Sequence, residues 1–175
     1  IDKISAHSNG KKLAALLAPD RLPKAADRDF SLARLTRLAI HVLSKNPNGF
    51  VLMVEGSQID WAAHDKDASN IISEMLDFDD AIGAALDFAQ QQGHTLIVAT
   101  ADHETGGFAV HDGSIQDQQV SATAFTTGGH TASMVPIFAY GPSSADFSGI
   151  LDNTRIGQML IDRLLKKSRL HITAE

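Results

Sequence analysis

The sequence contains no cysteine among its 175 residues. Disulfides and thiolate metal sites are therefore excluded, and a tight metal site here must be built from histidine and carboxylate. No apolar run approaches the roughly 20 residues needed to span a bilayer as a helix. There is no excess of positive charge; the formal net charge is −6, which argues against nucleic acid as a partner. No signal-peptide pattern occurs in these residues. The chain begins with Ile1 rather than Met, so it is expected to be a processed or truncated piece. No internal repeat, low-complexity tract or second domain is found. What remains, 43% hydrophobic and 21% charged residues, is ordinary for one globular domain with its own core.

The most informative stretch is FVLMVEGSQIDWAAHDKD, from Phe50 to Asp67. Five apolar residues, Phe50 to Val54, have the length and composition of a strand buried on both faces. The run then turns polar, with Glu55, Asp60, His64, Asp65 and Asp67 following. Ligands in open α/β sheets bind just outside the carboxyl ends of strands. A buried strand ending in carboxylates and a histidine points to a metal or catalytic site.

The rest of the chain supports an α/β reading, with part of a mostly parallel sheet flanked by helices. Residues 1 to 30 read as a connector; Leu13, Leu16 and Leu17 form a short apolar patch, Pro19 and Pro23 interrupt it, and Lys24 to Asp29 are crowded with charge. His7 reads as a surface histidine. Ser31 to Ser44 is predicted to be a helix, with Leu32, Leu35, Leu38, Ala39, Val42 and Leu43 on one face; His41 sits beside that stripe as a packing or surface residue. Asn46-Pro47-Asn48-Gly49 ends it. After a polar loop, Ala68 to Gln92 is a long helix whose Glu74, Asp77, Asp79, Asp80 and Asp87 read as a solvated acidic face, capped by Gly93. His94 to Thr100 is a second buried strand, and it runs into Asp102, His103 and Glu104. Two strands joined by a helix are expected to be parallel neighbours, which brings both polar clusters to one sheet edge. Gly106 to Gly129 is irregular, with a short strand at Phe108 to Val110. Gly128 and Gly129 allow a tight turn that aims His130. Val135 to Tyr140 is a third strand. Thr154 to Lys167 is a terminal helix with Ile156, Met159, Leu160, Leu164 and Leu165 inward.

Asp60 and His64, four apart, together with His130, make a two-imidazole, one-carboxylate set suited to a catalytic zinc with an open position. Asp102 and His103 are a second pair able to hold a neighbouring metal. Glu55, an oxygen ligand, better suits magnesium. Two metals roughly 4 Å apart are a standard device for phosphoryl transfer. The competing reading is scattered surface carboxylates and structural histidines.

Three blocks, VEGSQIDWAAH, TADHETGG and GGHT, resemble in sequence and order the metal-binding blocks of the alkaline phosphatase family. LSKNPNGF before the first block resembles it too. The likeness covers roughly residues 31 to 165. It implies a phosphomonoesterase with two zincs and one magnesium per site, working through a phosphoserine. By this resemblance Asp60, His64 and His130 hold the first zinc, Asp102 and His103 help hold the second, and Glu55 is a magnesium ligand. Trp61 stands where family members carry basic or aromatic residues; it either lines the phosphate pocket or packs over the metal loop.

The family's nucleophilic serine lies in an Asp-Ser-Ala segment upstream of these blocks, and no Asp-Ser-Ala occurs here. The phosphate-binding arginine and the aspartate bridging zinc and magnesium are missing as well. Residues 1–175 are therefore expected to be the C-terminal part of a single alkaline-phosphatase-like domain, with no catalytic nucleophile of its own; Ser57 has nothing to mark it as a substitute. The resemblance implies an N-terminal half as partner, a homodimer, and a periplasmic or secreted location. The alternatives are a metal-binding fragment without turnover and another superfamily member: a phosphodiesterase, sulfatase or phosphomutase.

Overall fold

The computed structural model describes residues 12–172, with side chains through residue 165; His7 lies outside the described residues. The first helix, α1 (Leu32–Leu43), begins where the Ser31 hydroxyl accepts from the Arg34 N–H at 3.1 Å. Such a cap contributes about 1 kcal/mol. The helix buries Ala33, Thr36 and Ile40, so its most buried line runs along one flank of the expected leucine stripe. Ala33 packs on Ala81 and Ala84 of α3 (Ala68–Gln92). Small residues on both sides let the two backbones approach closely. His41 is exposed, in keeping with a surface role.

The helix α3 has the bounds its sequence predicts. The Asp67 carboxylate accepts from the Asn70 N–H at 3.0 Å, and Gly93 ends the helix in the left-handed conformation. Its acidic face, however, is not uniformly solvated. Glu74 is 4% exposed. The Arg28 guanidinium, equally buried, lies 3.2 Å from Glu74 and 2.6 Å from Asp77. Glu74 also accepts from the Ala25 N–H, and Asp77 from the Leu32 N–H. The two carboxylates thus bind the guanidinium and the Ala25 N–H of the charged segment that the sequence suggested was an exposed connector, and the Leu32 N–H at the start of α1. Periodicity misses this, because the partner is some 46 residues away in the chain.

Phe50 to Val54 is not a buried strand. It joins no ladder among the described residues, and Val51 and Met53 are 67% and 85% exposed. Apolar, β-rich composition gives a tendency to be extended; a ladder also needs a partner edge, and none of the described residues supplies one. The polar run after it is not a loop but a short helix, α2 (Gln58–His64).

The ladders present are antiparallel pairs. β1 (Ile97–Thr100) pairs with β6 (Ile137–Tyr140), and β2 (Glu104–Thr105) pairs with β5 (His130–Thr131). β3 (Ala109–Ser114) and β4 (Gln119–Ala124) form a hairpin in the region expected to be irregular. β3 overlaps the short strand expected at Phe108 to Val110, but both strands are mostly exposed, Val110 and Val120 included, so no buried face announces the full hairpin. The expected parallel pairing of the Phe50 segment with β1 is thus replaced by the β1–β6 ladder. The terminal helix α4 spans Asn153–Ile172, beyond its predicted end; Met159 is buried while Leu164 and Leu165 are exposed.

Candidate metal centre

α2 carries Asp60 and His64 one helical turn apart, so both side chains leave the same face. The β2–β5 ladder sets His130 directly opposite Thr105. These two local structures bring three ligand atoms together. His64 Nε2 lies 3.1 Å from His130 Nε2, and Asp60 Oδ1 lies 3.5 Å and 3.6 Å from the two nitrogens. A tetrahedral zinc with bonds of 2.0–2.1 Å needs ligand atoms about 3.3 Å apart. The triangle therefore fits zinc, both in its edges and in its two-imidazole, one-carboxylate chemistry. All three residues keep solvent exposure, so a zinc held there would be accessible to water or substrate.

The imidazoles are oriented from behind. His64 Nδ1 donates to the Gly128 carbonyl at 2.7 Å, which leaves the Nε2 lone pair free for a metal. The Thr105 hydroxyl, buried, donates to Asp60 Oδ1 at 2.6 Å and lies 3.2 Å from His103 Nδ1. One hydroxyl thereby links the first ligand group to the second pair. His103 stacks on His130 with ring centroids 3.6 Å apart, and His103 Nε2 is 3.3 Å from the exposed Asp102 carboxylate.

Glu104 is the brace beneath. Its carboxylate accepts from the Thr131 hydroxyl and from the Gly107 and Phe108 N–H groups. The Thr131 hydroxyl above all, with the two amides, holds this carboxyl below its ordinary range, against partial burial that raises it. The conformational freedom of glycine is used at Gly106 and Gly107, both at positive φ. A methyl on Gly107 would collide with Thr126, and one on Gly106 would press on the Ala63 carbonyl at the end of α2. Gly128 and Gly129, which the sequence suggested as the aiming turn, have neither positive φ nor crowding. Gly128 contributes its carbonyl instead.

Of the residues singled out in the sequence, Asp60, His64 and His130 converge within ligand distance, and His103 with Asp102 adjoins them. Glu55 is not in that group; it lines a small cavity with Arg28, Gln58, Glu74 and Asp77. Trp61 is 48% exposed, and the Arg21 guanidinium lies 4.9 Å from its ring centroid. Sequence reasoning missed Thr105 and the Glu104–Thr131 clasp. Their signal was present in TADHETGG, where a hydroxyl and a carboxylate adjoin the expected ligands.

A family model described as Alkaline phosphatase matches residues 1–120 and 109–165. Alkaline phosphatase 3 of Bacillus subtilis is 36% identical, over 87% of this chain and 49% of its own length. The solved alkaline phosphatase of the Antarctic bacterium TAB5 superposes with a TM-score of 0.81 at 43% identity, covering 95% of this chain and 49% of that one. A mutant of the TAB5 enzyme, solved with Mg bound, gives a TM-score of 0.80 at 41% identity over the same shares. The chain thus spans about half the length of these relatives.

Proposed function

The chain belongs to the alkaline phosphatase family, and from that premise we propose that it is the metal-ligand half of a phosphate monoester hydrolase. The observation that carries this reading is the zinc-sized triangle of Asp60, His64 and His130. Asp102 and His103 hold a second zinc in part, and Glu55 is a magnesium ligand. Bound zinc supplies an activated nucleophile and stabilises the leaving oxygen. The chain's own residues present two imidazoles beside a carboxylate and tie Asp60 to His103 through Thr105. Trp61 lines the phosphate pocket.

No Asp-Ser-Ala segment occurs in the sequence. The serine that forms the phosphoserine therefore belongs to a second polypeptide part, the N-terminal half of the same enzyme, and residues 1–175 are the C-terminal part of one composite domain. The exposed, unladdered Val51 and Met53, and the exposed Phe138 and Tyr140 of β6, support such a partner, because they are apolar surface left uncovered by the described residues. The complete enzyme is a homodimer in the periplasm or secreted.

The missing Asp-Ser-Ala also supports a second reading, in which this polypeptide by itself binds metal without turnover. Both are tested together. In the complete enzyme, Asp60→Ala and His130→Ala should lower monoester hydrolysis by more than about 100-fold. Near-normal turnover in either variant would sink the proposal. Rates on a monoester, a diester and a sulfate ester, compared side by side, should favour the monoester; a preference for either of the others would make the enzyme a phosphodiesterase or a sulfatase. Hydrolysis by the purified 175-residue chain alone would refute the reading without turnover.

A further inference from the structure

The turn between α2 and α3 departs from local backbone preference. Lys66 adopts a positive φ of 55°. Its N–H donates to the Ala63 carbonyl at 3.1 Å, and the Asp67 N–H to the Ala62 carbonyl at 2.9 Å. This paired pattern is the helix-ending motif whose left-handed residue is usually glycine. A side chain there is strained, yet the sequence places a long cationic one in it.

That side chain lies beside the metal centre. A methyl built on Gly128 would sit 3.7 Å from Lys66 Cε, and the Gly128 carbonyl is the group that orients His64. The lysine stem therefore lies along the loop that leads to His130. Lys66 is exposed and makes no ion pair among the described residues. The chain as a whole carries a formal charge of −6, so a phosphate ester approaching it is repelled except where a local cation reverses the field. An ammonium on a flexible stem acts as a point charge suited to phosphate oxygens.

We propose that Lys66 is a specificity-determining residue: its ammonium holds the phosphate monoester dianion, and the phosphate product, at the mouth of the Asp60–His64–His130 cluster. The inference rests on the phosphatase reading. It accounts for a side chain at a position where the backbone favours none, and it commits the pocket to anionic rather than neutral groups.

The test uses the complete, metal-loaded enzyme, with inorganic phosphate as the probe in calorimetry and a phosphate monoester in steady-state kinetics. Lys66→Gly should raise the phosphate Kd and the KM by about fivefold or more, with kcat within twofold and zinc content unchanged. Because glycine relieves the strained backbone, the same variant should melt about 2–4 °C higher. Lys66→Arg should keep phosphate affinity within twofold. Binding loss and thermal gain in one variant is a combination that a merely structural lysine does not produce. Phosphate affinity unaltered in Lys66→Gly, or zinc lost along with it, would overturn the inference while leaving the phosphatase reading intact. A wild-type enzyme that binds no phosphate would instead overturn that reading, and this inference with it.

Discussion

Thr105 donates its hydroxyl proton to Asp60 across 2.6 Å, and this bond ties the β2–β5 ladder to the helix that carries two of the three candidate zinc ligands. The same oxygen lies 3.2 Å from His103 Nδ1. A single buried hydroxyl therefore sets the orientation of one ligand in each half of the centre.

Thr105→Val preserves shape but removes the hydroxyl. It should weaken zinc binding about 10- to 100-fold, the usual effect of removing a group that orients a ligand. Thr105→Ser should restore most of it. Competition with a chromophoric chelator measures both variants, and a valine variant with unaltered zinc affinity would show that Asp60 needs no such support.

Arg28 anchors the charged segment that precedes α1 onto α3. It is buried between Glu74 and Asp77, so Arg28→Met leaves two carboxylates without their cation, held only by the Ala25 and Leu32 N–H groups. The expected loss is about 3–5 kcal/mol. Combining it with Glu74→Gln and Asp77→Asn should recover part of that loss, since the charges then vanish together. Urea unfolding of the single and triple variants decides the point; a single variant as stable as the wild type contradicts the clasp.

Asp67 gives the chain an acid dependence. The Asn70 N–H first, and the Lys24 ammonium at 3.2 Å second, hold its carboxyl below the ordinary 3.8. A depressed folded-state value stabilises the fold above the unfolded value and is lost as pH falls through the folded one. Asp67→Ala should therefore cost about 1 kcal/mol near pH 7, the worth of a helix cap, and progressively less below about pH 4. A gap between wild type and variant that stays constant down to pH 2 would contradict this assignment.

The convergence of Asp60, His64 and His130 was legible because metal chemistry constrains residue type and spacing together. Asp60 and His64 are one helical turn apart, and Asp102-His103 follows an apolar run. The helix α3 was equally legible from its apolar period and Gly93, while its Asp67 cap was not foreseen. What periodicity did not show was long-range pairing. Glu74 and Asp77 looked solvated because Arg28 lies far away in sequence. Phe50 to Val54 read as a buried strand because composition describes the chain's own preference and not the edge it must meet. The β3–β4 hairpin is mostly exposed on both faces, so only its start, the short strand at Phe108 to Val110, was legible. Thr105 was passed over because a hydroxyl that orients a ligand carries no charge to mark it.

If Asp60, His64 and His130 form one zinc site, zinc-edge X-ray absorption on the chain loaded with a single equivalent of zinc should show it. The expected spectrum has a low-coordinate shell at about 2.0–2.2 Å with scattering from two imidazoles, reduced to one imidazole in His130→Ala. A shell of water and carboxylate oxygen alone, or a spectrum that His130→Ala leaves unaltered, would contradict that site.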